Sequence, residues 1–426
     1  MNKNISRLNN LLLLCQFFIT IGICFLLFFQ IALTKLTPLP SYADEMILAG
    51  IFLFSLVRSF SDVVVRKLMI IYCSAFLFYF IISIVAIPYR GLAQVIFQIF
   101  IHLKFILLVV FIWSTLSTKY ALRVSYVCLV ITIVFLLMNL LLGNYFNELF
   151  DLVVQKRGGG VRPIGIQSDT ASLGTTFALL ACLYITSIKK LTAKVKVVLL
   201  MFFSILVLLT TVRTALLFIP LVVLWWLKDS LKSFFIALAF ILAILIPLKS
   251  SDYMDELIDI TTQNIEWTVE NPVESGYIRG IMIYFSFELA NDRFPIGTGA
   301  ATYGTVMSGD SHIYAEIGLQ NSRFFVDKEG IYDSNFASIL GEFGYLGLLV
   351  YFLVVYLVMM TPFRVGKYQN EAEFRFVFFL LISGYSIATP IFMNTYPAFM
   401  LALVLVASYR KSNESARFDD KVTTSS

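Results

Sequence analysis

Apolar runs long enough to cross a bilayer follow one another along this chain, separated by short polar punctuation. They fall at about 11–33, 44–60, 67–87, 92–115, 121–142, 167–187, 196–212, 214–227, 231–248, 335–360, 375–393 and 395–409. A helix needs ~20 apolar residues to cross ~30 Å of hydrocarbon. The pattern therefore predicts an all-α polytopic integral membrane protein with about 12 transmembrane helices. The second, eighth and twelfth runs are short, and only Arg213 separates the seventh from the eighth, which predicts a broken helix pair or a tight hairpin. One polar stretch interrupts the series. It divides the chain into a bundle of nine spans (1–248), a large outer, periplasmic loop between spans nine and ten (249–334), three closing spans (335–409) and a polar tail (410–426).

Composition agrees with this division. Hydrophobic residues make up 59% of the chain and charged residues 14%, more apolar surface than a soluble core of this size needs. The first run is too long for a signal-peptide core and predicts a retained span. The five cysteines, Cys15, Cys24, Cys73, Cys128 and Cys182, all fall within apolar runs, where they serve as small packing residues rather than disulfide partners.

Charge sets the orientation. With the N-terminus in the cytoplasm, most of the 32 Lys and Arg residues fall in cytoplasmic loops and span ends, as the positive-inside rule requires. Both termini are then cytoplasmic and the long loop faces out. From Lys249 to Asp333 that loop holds 14 acidic and 5 basic residues, a net −9 in a chain of net +5. A surface this acidic excludes nucleic acid as a partner.

Against that acidic background a few residues stand out. Lys156-Arg157-Gly158-Gly159-Gly160-Val161-Arg162-Pro163 places two guanidinium groups around a flexible glycine run. Arg157 and Arg162 suit a clamp for a phosphate or diphosphate, because the planar fork of arginine binds oxyanions through paired hydrogen bonds; a basic loop touching lipid head groups is the plain alternative. Arg213 sits between two apolar runs, where a charge is costly unless it faces a wet cavity or snorkels to the interface. Arg279 precedes a mostly apolar stretch, Ile281 to Leu289, that suits a helix lying on the membrane or plugging a cavity. His312 is a candidate general base or an ordinary loop histidine. Asp333 at a helix start is a candidate base or a cap. Glu342, about two turns into the tenth span, is a candidate base near the outer surface. Gln94, Gln98 and His102 fall on one face of the fourth span, and Lys104 lies near mid-bilayer, where ionisable groups mark function or pair with another span.

The order of several short motifs resembles the O-antigen polymerase and ligase superfamily of lipid-linked glycan transferases. The residues that carry it are Arg279, then Pro295-Ile296-Gly297-Thr298-Gly299 and Tyr303, then Asp333-Ser334-Asn335, then Gly341-Glu342-Phe343-Gly344-Tyr345-Leu346-Gly347. Many members, ligases especially, carry His-Asn where this chain has Ser334-Asn335. The resemblance implies an oligosaccharide repeat unit polymerase that joins undecaprenyl-diphosphate-linked units at the outer face of the bacterial inner membrane. It implies no cofactor and no metal, since the diphosphate leaving group is already stable. It implies an undecaprenyl-diphosphate-linked oligosaccharide and membrane lipids as partners, with a chain-length regulator protein as a further candidate. Arg157, Arg162, Arg213 and Arg279 would bind diphosphate, and Glu342, Asp333 or His312 would take the acceptor proton. Tyr303, Tyr314 and Tyr332 would stack on sugars, with Asn335 in the substrate site. An O-antigen ligase and a lipid-linked oligosaccharide flippase are the rival readings. The orientation is tested by reporter fusions: alkaline phosphatase is expected to be active when fused after His312 and inactive when fused after Lys411, and the reverse pattern would invert the topology.

Overall fold

The computed structural model describes residues 18–29, 33, 43–86, 90–150, 156–157, 160–165, 167, 170–187, 191–227, 262–264, 266–326, 330–365, 368–369 and 371–411. The ninth predicted span, 231–248, and most of the tail lie outside them. The helices are α1 (Phe18–Phe28), α2 (Ala43–Ser59), α3 (Val63–Val85), α4 (Leu92–Thr115), α5 (Thr118–Leu142) and α6 (Asn144–Leu149). After them come α7 (Thr170–Thr186), α8 (Ala193–Leu209), α9 (Phe218–Leu227), α10 (Ile278–Asp292), α11 (Ile313–Glu316) and α12 (Arg323–Val326). The series closes with α13 (Asn335–Arg364), α14 (Ala372–Ala388) and α15 (Thr395–Ser408). Two short antiparallel ladders accompany them: β1 (Lys156–Arg157) with β2 (Gly160–Val161), and β3 (Tyr368–Gln369) with β4 (Arg410–Lys411).

Among the described residues α3, α4, α5 and α13 are long and apolar enough to cross a membrane, and the chain is a multi-pass membrane protein. Several ends are set by side chains the sequence supplies. Asp62 caps α3 by accepting from Val64 N and Val65 N, Ser117 caps α5, and Thr192 caps α8. The long helices differ in what surrounds them. α4 is buried over most of its length and every residue of α15 is buried, so these two form the centre of the bundle. α3 and α5 bury one stripe and expose residues such as Ile70, Leu77, Ile81 and Val127, as a lipid-facing helix does. Lys104, on the central helix, donates to Thr395 Oγ1 at 2.8 Å, and Thr395 is bonded in turn to Asp44. The mid-span lysine thus has partners on two other helices.

The tenth predicted span is a single element with a break. At Gly344 the backbone leaves the helix (φ 64, ψ −166), so Gly341 and Glu342 lose the partners of their carbonyls and Leu346 loses the partner of its N–H. The loop after α10 replaces them. Thr298 N donates to Gly341 O at 3.0 Å and Gly299 N to Glu342 O at 2.6 Å, while Leu346 N donates to Pro295 O at 3.2 Å. The two glycine-containing motifs of the sequence are therefore the two halves of one joint. Small residues at 341, 344 and 347 suggested close packing of helix on helix. In the structure each does something different. A Cβ on Gly341 would lie 2.4 Å from the Tyr303 ring, Gly344 makes the break, and the Gly347 carbonyl accepts from the Tyr79 hydroxyl at 3.0 Å.

The stretch Ile281 to Leu289 is part of α10, which packs on α13 and buries Ile281, Met282, Phe285 and Leu289. The Arg213 region is a corner rather than a continuous helix: α8 ends, Thr211 adopts φ 56, and a 3₁₀ turn (Thr214–Leu217) leads into α9. Gly344→Ala is expected to cost at least roughly 1–3 kcal/mol, because that backbone conformation is nearly glycine-only and a Cβ would lie 2.3 Å from Pro295 O. Thermal unfolding of the detergent-purified protein would show it, and an unchanged midpoint would remove the joint's importance.

Candidate functional site

Two features converge on the N-terminal part of α13: a buried carboxylate that locks the 295–305 loop, and an arginine-lined cavity. The carboxylate is Glu342, which has no exposed surface. Its Oε1 accepts from Thr302 N (3.0 Å), Tyr303 N (3.3 Å) and Thr305 Oγ1 (2.9 Å). Its Oε2 lies 2.9 Å from His102 Nε2, on the central helix α4. A buried carboxylate is tolerated only when its lone pairs are met in this way. Glu342 therefore joins the joint at Gly344 to the bundle core.

The cavity has a volume of about 600 Å³ and lies where several elements end. One group of lining residues is Arg162, Val212, Arg213 and Thr214, from the segment before α7 and the corner after α8, together with Thr170 and Ala171 at the start of α7. A second group is Asn264, Tyr277, Arg279, Tyr332 and Asp333, from the starts of α10 and α13 and the segment ahead of α10. Ala388, Thr389, Pro390 and Asn394 close it between α14 and α15. A helix rises ~1.5 Å per residue. The 17 residues of α7 and α14 and the 14 of α15 are therefore shorter than the hydrocarbon core, whereas the 30 of α13 exceed it. A recess forms where short helices end beside a long one.

Local bonds fix Arg162. Asn139 Oδ1 accepts from Ile164 N and Gly165 N at 2.7 and 3.1 Å, which pins the segment carrying Arg162. Arg162 Nε donates to Thr211 Oγ1 at 2.9 Å and its Nη2 to Thr211 O at 3.3 Å. That bond holds the left-handed Thr211 in the corner and brings Arg162 and Arg213 to the same cavity. Backbone strain of this kind is common at functional sites. Arg279 Nη2 and Asp333 Oδ2 are 3.7 Å apart, a loose ion pair with both side chains partly exposed. Burial and the neighbouring Asp333 push the Tyr332 hydroxyl above its ordinary pKa, so it stays protonated and able to donate. Among the described residues the lining holds three arginines and one aspartate, and low-dielectric walls concentrate the field of such charges. A cluster of guanidinium groups suits an anion carrying oxyanion oxygens.

Residues 197–352 match the family model described as O-antigen ligase. Over those residues the chain is similar to the O-antigen polymerase and ligase superfamily. Members of this superfamily are glycosyltransferase-like enzymes of polysaccharide and lipopolysaccharide assembly. The matched segment runs from α8 into α13 and so contains Arg213, Arg279 and Asp333, whereas Arg162, Thr170 and Asn394 lie outside it. No curated protein matches the chain.

The structure brings Arg162, Arg213, Arg279, Tyr332 and Asp333 together at one cavity. It does not bring the other candidates there. Tyr303 is fully buried under α10, its hydroxyl donating to Met282 O at 2.7 Å, and Tyr314 is buried beside it, which removes both from sugar stacking. Asn335 is buried and accepts from Phe392 N at 2.8 Å, so it braces the turn that floors the cavity. Asp333 is not the cap of α13; Ser334 is, accepting from Ala337 N at 3.1 Å. His312 is exposed ahead of α11 and is not among the lining residues. Arg157 lies in β1, with its side chain outside the described residues.

Sequence reasoning passed over Asn264, Tyr277, Thr170 and Asn394. Tyr277 stands two residues before Arg279, which was a usable signal; the others sit at ends of helices with no pattern to mark them. Glu342→Ala is expected to destabilise by roughly 3–5 kcal/mol, the cost of stripping one partner from a buried pair. Unfolding of the detergent-purified variant tests this, and a wild-type midpoint with activity lost would instead make Glu342 a group of the chemistry itself.

Proposed function

We propose that this chain is a polymerase that joins undecaprenyl-diphosphate-linked oligosaccharide repeat units at the outer face of the bacterial inner membrane. The observation that carries the reading is the cavity in which Arg162, Arg213 and Arg279 meet Asp333. The diphosphate of the donor binds to the arginines, which stabilise charge developing on the leaving group. A hydroxyl oxygen of the acceptor sugar forms a bond to the anomeric carbon of the donor. The bond from that carbon to the diphosphate oxygen breaks, and its electron pair leaves with the undecaprenyl diphosphate. The hydroxyl proton passes to Asp333. Of the three candidate bases, Asp333 is favoured because it lines the cavity beside Arg279, while Glu342 is sealed by four partners and His312 stands on the surface.

An O-antigen ligase is the second reading, favoured by the description of the matching family model. The polymerase is preferred because Ser334-Asn335 replaces the His-Asn of many ligases, and Ser334 is engaged as a helix cap.

Deletion of the gene distinguishes the two. A polymerase leaves a single repeat unit on the lipid A–core, whereas a ligase leaves finished polymer on undecaprenyl diphosphate and none on the core. In the same cells Arg213→Ala and Arg279→Ala are expected to abolish chain growth at normal protein level. Asp333→Asn is expected to slow it by about 10²–10⁴, the usual worth of a positioned base. Full-length chains from either arginine variant would overturn the site.

A further inference from the structure

The polar stretch 249–334 holds one tryptophan, Trp267, and 46% of it is exposed. A single exposed apolar side chain needs no explanation by itself; this one has a fixed place beside the cavity. Resting on the glycosyl-transfer reading above, we propose that Trp267 is a sugar-binding platform at the edge of the cavity. One ring of the lipid-linked oligosaccharide stacks on its indole, while Asn264 and Tyr277 meet the neighbouring sugar inside.

Trp267 stands between two lining segments. Residues 266–270 are helical, and Thr268 Oγ1 donates to Asn264 O at 2.6 Å, so Asn264 lies one turn ahead of Trp267. On the other side the indole covers Gly276, where a Cβ would lie 3.5 Å from its Cζ3 and 4.0 Å from its Cη2. Tyr277 is the next residue, and Asn264 and Tyr277 both line the cavity. The turn is also fixed to α10. Ser275 Oγ lies 2.9 Å from Thr268 Oγ1 and accepts from Tyr277 N at 3.1 Å. A Cβ on Gly280 would lie 2.6 Å from Tyr277 Cδ1 and 2.8 Å from Thr268 Oγ1, so the turn lies close against the first turn of α10. The two rings are thus held in place before a ligand arrives, which lowers the ordering cost of binding.

The neighbours of the indole favour a sugar over a lipid. Glu266, Glu270 and Glu274 are all exposed on the same turn. Carboxylates are costly in hydrocarbon and repelled by anionic head groups, so this turn is a poor interfacial anchor. A sugar ring offers an apolar C–H face and a rim of hydroxyl donors. The indole matches the face, and Glu270, three residues on and so beside Trp267 on the helical turn, can accept from the rim. Gly276 and Tyr277 are consecutive, with Cα atoms ~3.8 Å apart. That spacing lets adjacent sugars of one oligosaccharide meet the two rings.

The test uses full-length protein in nanodiscs, and the probe is the oligosaccharide released by mild acid from the lipid-linked repeat unit. Tryptophan fluorescence of the wild type is expected to change saturably as the probe is added, and Trp267→Phe should abolish that change. Calorimetry should show binding weakened about tenfold by Trp267→Ala, the scale of a lost aromatic contact, and kept within about threefold by Trp267→Phe, which retains a ring. In chain growth from the lipid-linked unit, Trp267→Ala should raise KM and leave kcat unchanged, because the indole stands away from the reacting atoms. Wild-type fluorescence unmoved by the probe, or equal affinity in the alanine variant, would overturn the platform. So would quenching of Trp267 by lipids brominated on their acyl chains, the mark of a membrane anchor. Chain growth by the wild type would leave the glycosyl-transfer reading standing in each of those cases. No chain growth by the wild type from the lipid-linked unit would overturn that reading and the platform with it.

Discussion

The interaction on which this structure depends is the repair of a broken helix. α13 cannot continue through Gly344, and backbone groups left without partners inside a membrane protein are too costly to leave open. The loop at 295–299 supplies the missing donors and acceptor, and Glu342 extends the joint by collecting three donors from residues 302–305 and the imidazole of His102. Because the partners come from α4, the 295–305 loop and α13, the joint fixes that loop relative to the bundle centre. Arg90 adds a second tie, donating to Met307 O at 2.5 Å and pairing with Asp310.

That joint has a consequence for the cavity. α10 lies along the N-terminal part of α13, so its first turn stands over the start of α13 and Arg279 meets Asp333. Asn335, one residue into the same helix, holds Phe392 N and thereby the turn between α14 and α15. The residues that shape the recess and those that stabilise the fold are thus neighbours in sequence but distinct in role. Glu342, Tyr303, Ser334 and Asn335 hold backbone in place; the arginines, Asp333 and the two tyrosines face the space that results.

A cationic recess at the ends of short helices is a sound place for an oily molecule with a charged head. The apolar faces of α3 and α5 are left to lipid, and Arg162 is held by local bonds, so it need not reorganise when an anion arrives.

Hydrophobic run length by itself determined the helical class and most described boundaries, because the bilayer imposes one length scale and one way to satisfy a backbone. The fourth run coincides with α4, and the second, third and fifth fall within about four residues of theirs. Sequence also marked Arg162, Arg213, Arg279 and Asp333, since charge beside apolar runs is rare enough to notice. Only the tertiary structure decided which marked residues share a space. Glu342, Tyr303 and Asn335 look as available in sequence as Asp333 does, yet burial against α4, α10 and the 390–394 turn commits them to packing. Tyr277, Thr170 and Asn394 gain their place from helix ends that meet across long sequence separations. Periodicity reports what faces lipid or core along one helix; it holds no information on where the ends of different helices come together.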